Sequence, residues 1–170
     1  MRNETSIKGN EVLNELYKFS DDLIELGPPI TDNRLIVFEA KIGFLLPDDF
    51  RFIISRHNGI SLAGTEVFGL DKSLRGSSID EVYDFEHKNA NPEMPNAFLP
   101  FSPDGRGNHY CLDLSTMENE RCKVVFWQHD FEYETLDQVE ICNTDFFDWL
   151  KQVMIDWNLE DYNYDGSSRG

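Results

Sequence analysis

LPDDFRFIISRHNGI, residues 46–60, is a short helix with its start and its stop both written into it. Pro47 suits the first helical position, where a missing N–H loses no hydrogen bond. Asp48 and Asp49 complement the positive helix start, and Arg56 and His57 complement its negative end. Phe50, Ile53, Ile54 and His57 fall on one face. Asn58-Gly59 then supplies residues that tolerate positive φ, so the chain reverses sharply at the helix end.

Beyond that corner the chain reads as strand. Ser61 to Ala63 and Thr65 to Leu70 are separated by a turn at Gly64. Upstream, a helix opening near Thr31 or Asp32 carries Leu35, Phe38 and Ile42 in one stripe and stops at Gly43. Before it, Val12, Leu16, Phe19 and Leu23 at helical spacing predict an amphipathic helix over residues 10–25, stopped by Gly27-Pro28-Pro29.

Downstream, Ser78-Ile79-Asp80-Glu81 is a capping box ahead of Val82 and Phe85, with a helical segment running to about His87 before the loop of Pro92 and Pro95. Ala97–Ser102, His109–Leu114 and Lys123–Gln128 read as strands, and Leu136–Ile141 as a last edge strand. The glycines of residues 103–108 make a tight hairpin loop between the first two of these. Thr144 is expected to cap a closing helix of Phe146, Phe147, Leu150, Met154 and Trp157, with a frayed tail after it. Helices at both ends of a strand meander predict a single α+β domain: one mostly antiparallel or mixed sheet with N-terminal and C-terminal flanking helices. The expected division is a helical extension over 1–30, the domain proper over 31–157 and a flexible tail over 158–170.

The chain of 170 residues is long enough for one real core. No stretch approaches the roughly 20 apolar residues of a membrane helix, and the first residues lack the apolar segment of a signal peptide, so a cytoplasmic location is expected. Cys111, Cys122 and Cys142 are odd in number and far apart, which favours reduced structural thiols. With 32 acidic against 15 basic residues the formal net charge is −17. Such a surface repels nucleic acid and anionic membrane and steers a basic partner toward itself. Solubility alone accounts for the same charge equally well.

Catalytic chemistry finds little support. Asp104-Gly105-Arg106-Gly107 lies between strands, whereas a phosphate cradle needs a helix start after it. His109 and Asp113 form an acid–base pair only on paper, because no nucleophile joins them. Strand alternation, with Tyr110, Leu112 and Leu114 facing the core, turns both toward solvent or a partner. The four histidines are scattered and form no metal-ligand spacing, so neither cofactor nor metal is expected. Acidic groups, by contrast, are clustered. Asp80, Glu81, Asp84 and Glu86 crowd one helical segment. Asp130, Glu132, Glu134, Asp137 and Glu140 surround Phe131 and Tyr133, as an interface of aromatic anchors and steering charge would, or as a solvated loop with its aromatics turned inward.

The order of these features resembles the SMI1/KNR4, or SUKH, superfamily. The resemblance rests on Glu39-Ala40-Lys41-Ile42-Gly43, on Leu46-Pro47-Asp48-Asp49-Phe50 with His57-Asn58-Gly59, on Gly107 through Asp113, on Val124 through His129, and on Phe146-Phe147-Asp148-Trp149-Leu150. Two positions depart from the family pattern: Ile60 stands where a second glycine is frequent, and Asn108 where an aspartate is common. The resemblance implies that the Leu-Pro and Asn-Gly corners are scaffold. It also implies, for a chain of this length, a bacterial immunity protein of a polymorphic toxin system. Such a protein is no enzyme; it stays in the cytosol and binds a cognate toxin, here expected to be a basic nuclease domain. The alternative is a scaffold or regulatory binding protein of the same superfamily, and a third reading is an enzyme or a small-ligand protein with a pocket of His109, Asp113 and Trp127. The expected partner surface comprises Asp80, Glu81, Asp84, Asp104, His109, Asp113, Trp127, Asp130, Glu132 and Tyr133.

Overall fold

The computed structural model describes residues 2–72 and 74–170. The quoted stretch folds as α3, Asp48–Arg56, with Pro47 at its cap position in extended conformation. Its motif carboxylates do more than complement a dipole. Asp49 is fully buried; its Oδ2 accepts the backbone N–H groups of Phe146 and Phe147 at 2.9 and 3.2 Å. Glu39, on the preceding helix α2 (Asp32–Ile42), accepts the N–H of Leu46 at 2.7 Å and pairs with Arg51. Gly43 ends α2 at φ +79°, as expected.

After Gly59 at φ +102° the chain enters β2 (Ile60–Leu62), turns at Ala63-Gly64 and returns as β3 (Thr65–Val67). On the other side of β2 lies β1 (Ile24–Leu26), paired Ile24 to Leu62. This corrects the helix expected over 10–25. The first helix, α1, spans Arg2–Leu16, and the apolar residues that continue the spacing, Phe19 and Leu23, lie in the turns ahead of β1. Val12, Leu13, Leu16 and Phe19 enter the same core as α2 and α3, and Ile24 of β1 joins them.

The capping box forms as expected: Ser78 and Glu81 exchange hydrogen bonds at the start of α4 (Ile79–Asp84), which continues as a wider π-helical turn over Phe85–Asn89. Its buried residues are Ile79, Tyr83, Glu86 and His87, while Phe85 stands exposed. A four-stranded antiparallel sheet comes next, in the order β4 (Phe98–Pro103), β5 (His109–Glu118), β6 (Arg121–Trp127) and β7 (Glu140–Asn143). The strands thus sort into two antiparallel sheets, of three and four strands. The N–H of Phe68 donates to the C=O of Phe101 at 2.8 Å, joining the end of β3 to β4.

One face of the larger sheet, with Leu99, Leu112 and Val124, meets the helices in the main core. An aromatic cluster sits there: Phe146 contacts Phe50 and Phe101 with ring centroids 5.0 and 5.2 Å apart, and Trp149 meets Phe101 at 4.8 Å. These rings come from the closing helix, α5 (Phe146–Trp149), which runs through a π-helical stretch into α6 (Trp157–Asp161). Its cap is Asp145, one residue after the expected Thr144; the Asp145 carboxylate accepts the N–H of Asp148. The segment after α6, expected to fray, folds back instead. Ser20 donates its N–H to the C=O of Tyr164 at 2.7 Å, and the Tyr164 hydroxyl donates to Glu15 at 2.7 Å. No helix among the described residues is long and apolar enough to cross a membrane.

Candidate functional site

The second face of the four-stranded sheet decides where the expected partner residues lie. Met94, Phe98, Cys111, Val125, Trp127 and Val139 form a smaller cluster there, with Tyr133 against it. Met94, Tyr133 and Val139, from segments outside these strands, pack on this face, so Cys111, Val125 and Trp127 are buried beneath them.

Two expectations change. His109 does not face solvent: it is 8% exposed and its ring centroid lies 6.0 Å from that of Phe68. Trp127 is 3% exposed, wedged between Phe98 and Tyr133, and offers a partner no surface. Nor do His109 and Asp113 form a site together. In the ladder His109 is paired with Trp127 and Asp113 with Lys123, placing the two about 13 Å apart along the strand. Asp113 accepts the N–H and hydroxyl of Ser115. The pocket of His109, Asp113 and Trp127 is therefore absent among the described residues.

Several of the expected acids are occupied within the fold. Asp80 accepts the N–H of Asp71 at 2.9 Å. Glu81 serves the capping box. Asp84 lies 3.0 Å from Lys41 and 3.5 Å from Lys88. Asp104 organises the hairpin loop, accepting the N–H groups of Arg106 and Asn108 and the side-chain amide of Asn108. Of these acids only Asp130 and Glu132, both exposed, make no hydrogen bond or ion pair with the described residues. Between them Phe131 is 45% exposed, its ring 4.7 Å from that of Tyr133, whose hydroxyl accepts the N–H of Gln128. The second acidic cluster thus takes both forms set out for it: Tyr133 turns inward and Phe131 turns half outward.

A cleft of about 680 Å³ opens between the α4 segment and the end of the hairpin. Glu81, Val82, Phe85 and Glu86 line one side; Gly107, His109 and His129 line the other. His129 is held in place because Asn108 Oδ1 accepts both its backbone N–H and its Nδ1–H, at 3.1 and 2.9 Å. Asp104 in turn fixes Asn108. On the cleft floor Glu86 Oε1 lies 3.6 Å from His109 Nδ1. Burial lowers the His109 pKa from 6.5 to about 4, the nearby Asp104 charge opposing this and His129 adding to it. The imidazole is therefore neutral at pH 7, and the contact is no ion pair there. Burial also raises the Glu86 carboxyl above its ordinary range.

Of the ten expected residues this cleft gathers Glu81 and His109, with Asp104 two hydrogen bonds behind its wall, through Asn108 and His129. It adds Phe85, Glu86 and His129. Glu86 carries a readable signal: it stands seven residues after Ile79, on the same helical stripe, where a carboxylate is unusual. Among the described residues no group of three or more His, Cys, Asp or Glu side chains is placed to hold a metal.

No curated protein matches the chain. The motifs nonetheless have visible structural duties: Glu39 holds the start of α3, Asp49 the start of α5, and Asn58 brackets Leu70 by donating to its C=O at 2.8 Å and accepting its N–H at 2.7 Å. The model of the SMI1/KNR4 family (SUKH-1) matches residues 29–152, which contain all three of these joints, and the chain belongs to that family.

Proposed function

We propose that the protein is an immunity protein that stays in the cytoplasm of the producing cell and binds a cognate secreted toxin. The toxin is a basic nuclease domain, neutralised when its substrate-holding surface is covered. The observation that carries the reading is an SMI1/KNR4 domain bearing a net charge of −17. A nuclease is basic where it holds phosphate, and an acidic inhibitor competes for that surface and arrives quickly. Asp130 and Glu132, unpaired beside the half-exposed Phe131, have the composition of such a contact: charge for encounter and an aromatic ring for buried area. The protein acts by binding, without turnover. Its neutral His109 and buried Glu86 have neither a nucleophile nor a metal-ligand set beside them among the described residues.

The test is co-expression of this chain with a candidate toxin domain taken from its gene neighbourhood, with a pull-down and a nuclease assay on the purified pair. Immunity requires rescued growth and a stable complex without nuclease activity. A toxin that stays active at saturating amounts of this protein sinks the reading and moves the assignment to a regulatory scaffold.

A further inference from the structure

The cleft between the α4 segment and the hairpin contains a carboxylate that the fold leaves unused. Glu86 is 4% exposed, and its Oε2 has no hydrogen-bond partner among the described residues. Its other oxygen has only the long 3.6 Å approach to His109, whose Nδ1 is likewise unpartnered. A buried carboxylate oxygen without a donor is costly to keep. Asp49 and Glu39, comparably buried, are by contrast saturated by backbone N–H groups and an arginine.

We propose that the cleft receives the guanidinium of an arginine on a basic protein partner, with Glu86 as its counter-charge and the Phe85 ring as its stacking face. The lining argues for a cation, since it holds two carboxylates, Glu81 and Glu86, and no lysine or arginine among the described residues. His109, held neutral by burial, does not compete for the charge. The walls argue for a guanidinium. Phe85 is 54% exposed, and Val82 and Ala90 extend the apolar surface beside it. A flat, weakly hydrated cation stacks on such a ring, whereas an ammonium keeps its water. Asn89 and Asn91 at the rim offer carbonyl acceptors for the remaining guanidinium N–H groups. The far wall is set in advance by the Asp104–Asn108–His129 chain of hydrogen bonds, which lowers the ordering cost of binding. This inference rests on the reading of the protein as a binder of a basic partner and names the point where one of its side chains inserts.

The probe is a blocked Gly-Arg-Gly tripeptide titrated into the full chain while the ring resonances of Phe85 and His129 are followed by NMR, with the lysine tripeptide alongside. The expected result is a saturable shift confined to those rings and weaker for lysine. Binding falls at least tenfold in Glu86→Gln and stays unchanged in Glu160→Gln, an exposed acid on α6. Phe85→Ala, an exposed substitution that the fold tolerates, weakens it severalfold and keeps the test valid if Glu86→Gln misfolds. A shift that never saturates, spreads over the acidic surface or survives Glu86→Gln overturns the proposal. So does displacement of the peptide by Mg²⁺ or Zn²⁺ acting on the same rings. Absence of tripeptide binding alongside intact toxin neutralisation removes the cleft and leaves the immunity reading standing; tripeptide binding without neutralisation does the reverse.

Discussion

Asp49 Oδ2 accepts the backbone N–H of Phe146 at 2.9 Å, joining α3 to α5 across 97 residues of chain. The same oxygen accepts from Phe147, and Oδ1 accepts from Phe50. Arg121 Nη1 lies 4.0 Å from it and 3.0 Å from Asp145, so two carboxylates share one guanidinium. The second aspartate of the Leu-Pro-Asp-Asp-Phe motif is therefore the acceptor that starts the closing helix. Phe146, which that helix delivers, fills the centre of the aromatic core.

Asp49→Ala strips the acceptor from the buried N–H groups at the start of α5 and leaves Arg121 with one partner. The expected loss is about 2–4 kcal/mol. Asp49→Asn keeps an acceptor oxygen and loses less. A shift of the urea midpoint at constant m-value measures both; equal stability in Asp49→Ala and the parent would show that the joint is dispensable.

The same aspartate and His109 impose opposite pH dependences. Burial, reinforced by Asp145 and opposed by Arg121, raises the Asp49 pKa from 3.8 to about 6. The folded chain then holds more protons than the unfolded one in that window, so this contribution is complete below pH 3.8 and is lost as pH rises through 6. His109, lowered by burial from 6.5 to about 4, holds fewer protons when folded. Its contribution is complete above 6.5 and is lost as pH falls toward 4. Each amounts to about 3 kcal/mol over its window. Stability measured from about pH 4 to 7 should fall more steeply on acidification in Asp49→Asn, and less steeply in His109→Gln. Parallel curves for both variants and the parent would contradict the assignment.

Much of the frame is legible from local signals because each is a short-range device. The Ser78–Glu81 box, the glycine stop at Gly43 and the hairpin over 103–108 act within a few residues and form as read. The misreadings share one cause. Alternation along β5 states that 109, 111 and 113 lie on a common face, but not whether distant segments cover it. Met94, Tyr133 and Val139 pack over Trp127, while Phe68 and Glu86 close over His109. Likewise the period of α1 runs on up to β1, where Ile24 pairs with Leu62, a partner that local spacing does not reveal. The positive φ expected of the Asn-Gly pair falls to Gly59 alone, and Asn58 commits its amide to Leu70.

That amide joint gives a sharper test of the Asn-Gly corner. Asn58→Ala removes a donor and an acceptor matched to one residue's backbone, at an expected cost of about 2 kcal/mol. Gly27→Ala attacks the same corner from outside. A Cβ there would sit 2.1 Å from the Asn58 carbonyl oxygen, backbone that cannot step aside. It should destabilise by more than Gly43→Ala, where a Cβ meets nothing within 4 Å and only the φ of +79° is strained, at about 1 kcal/mol. Thermal unfolding of the three variants ranks them; Gly43→Ala as the most damaging would refute the packing account.

Asp130 and Glu132 carry the last prediction, because they separate a local interface from mere acidity. Neither is tied into the fold, so reversing both to lysine leaves stability nearly unchanged. The formal net charge moves from −17 to −13, two units for each reversal. If the loop beside Phe131 meets the basic partner, association at low salt should slow about tenfold, with a smaller change in dissociation, and the difference should shrink as salt screens the encounter. The matched control is Glu11→Lys with Glu160→Lys, exposed positions on α1 and α6 that shift the net charge equally. Equal slowing in both pairs would mean that the partner senses only total charge and that this loop is not the contact. Slowing confined to the 130/132 pair places the loop in the interface, where Phe131→Ala should then raise the dissociation rate.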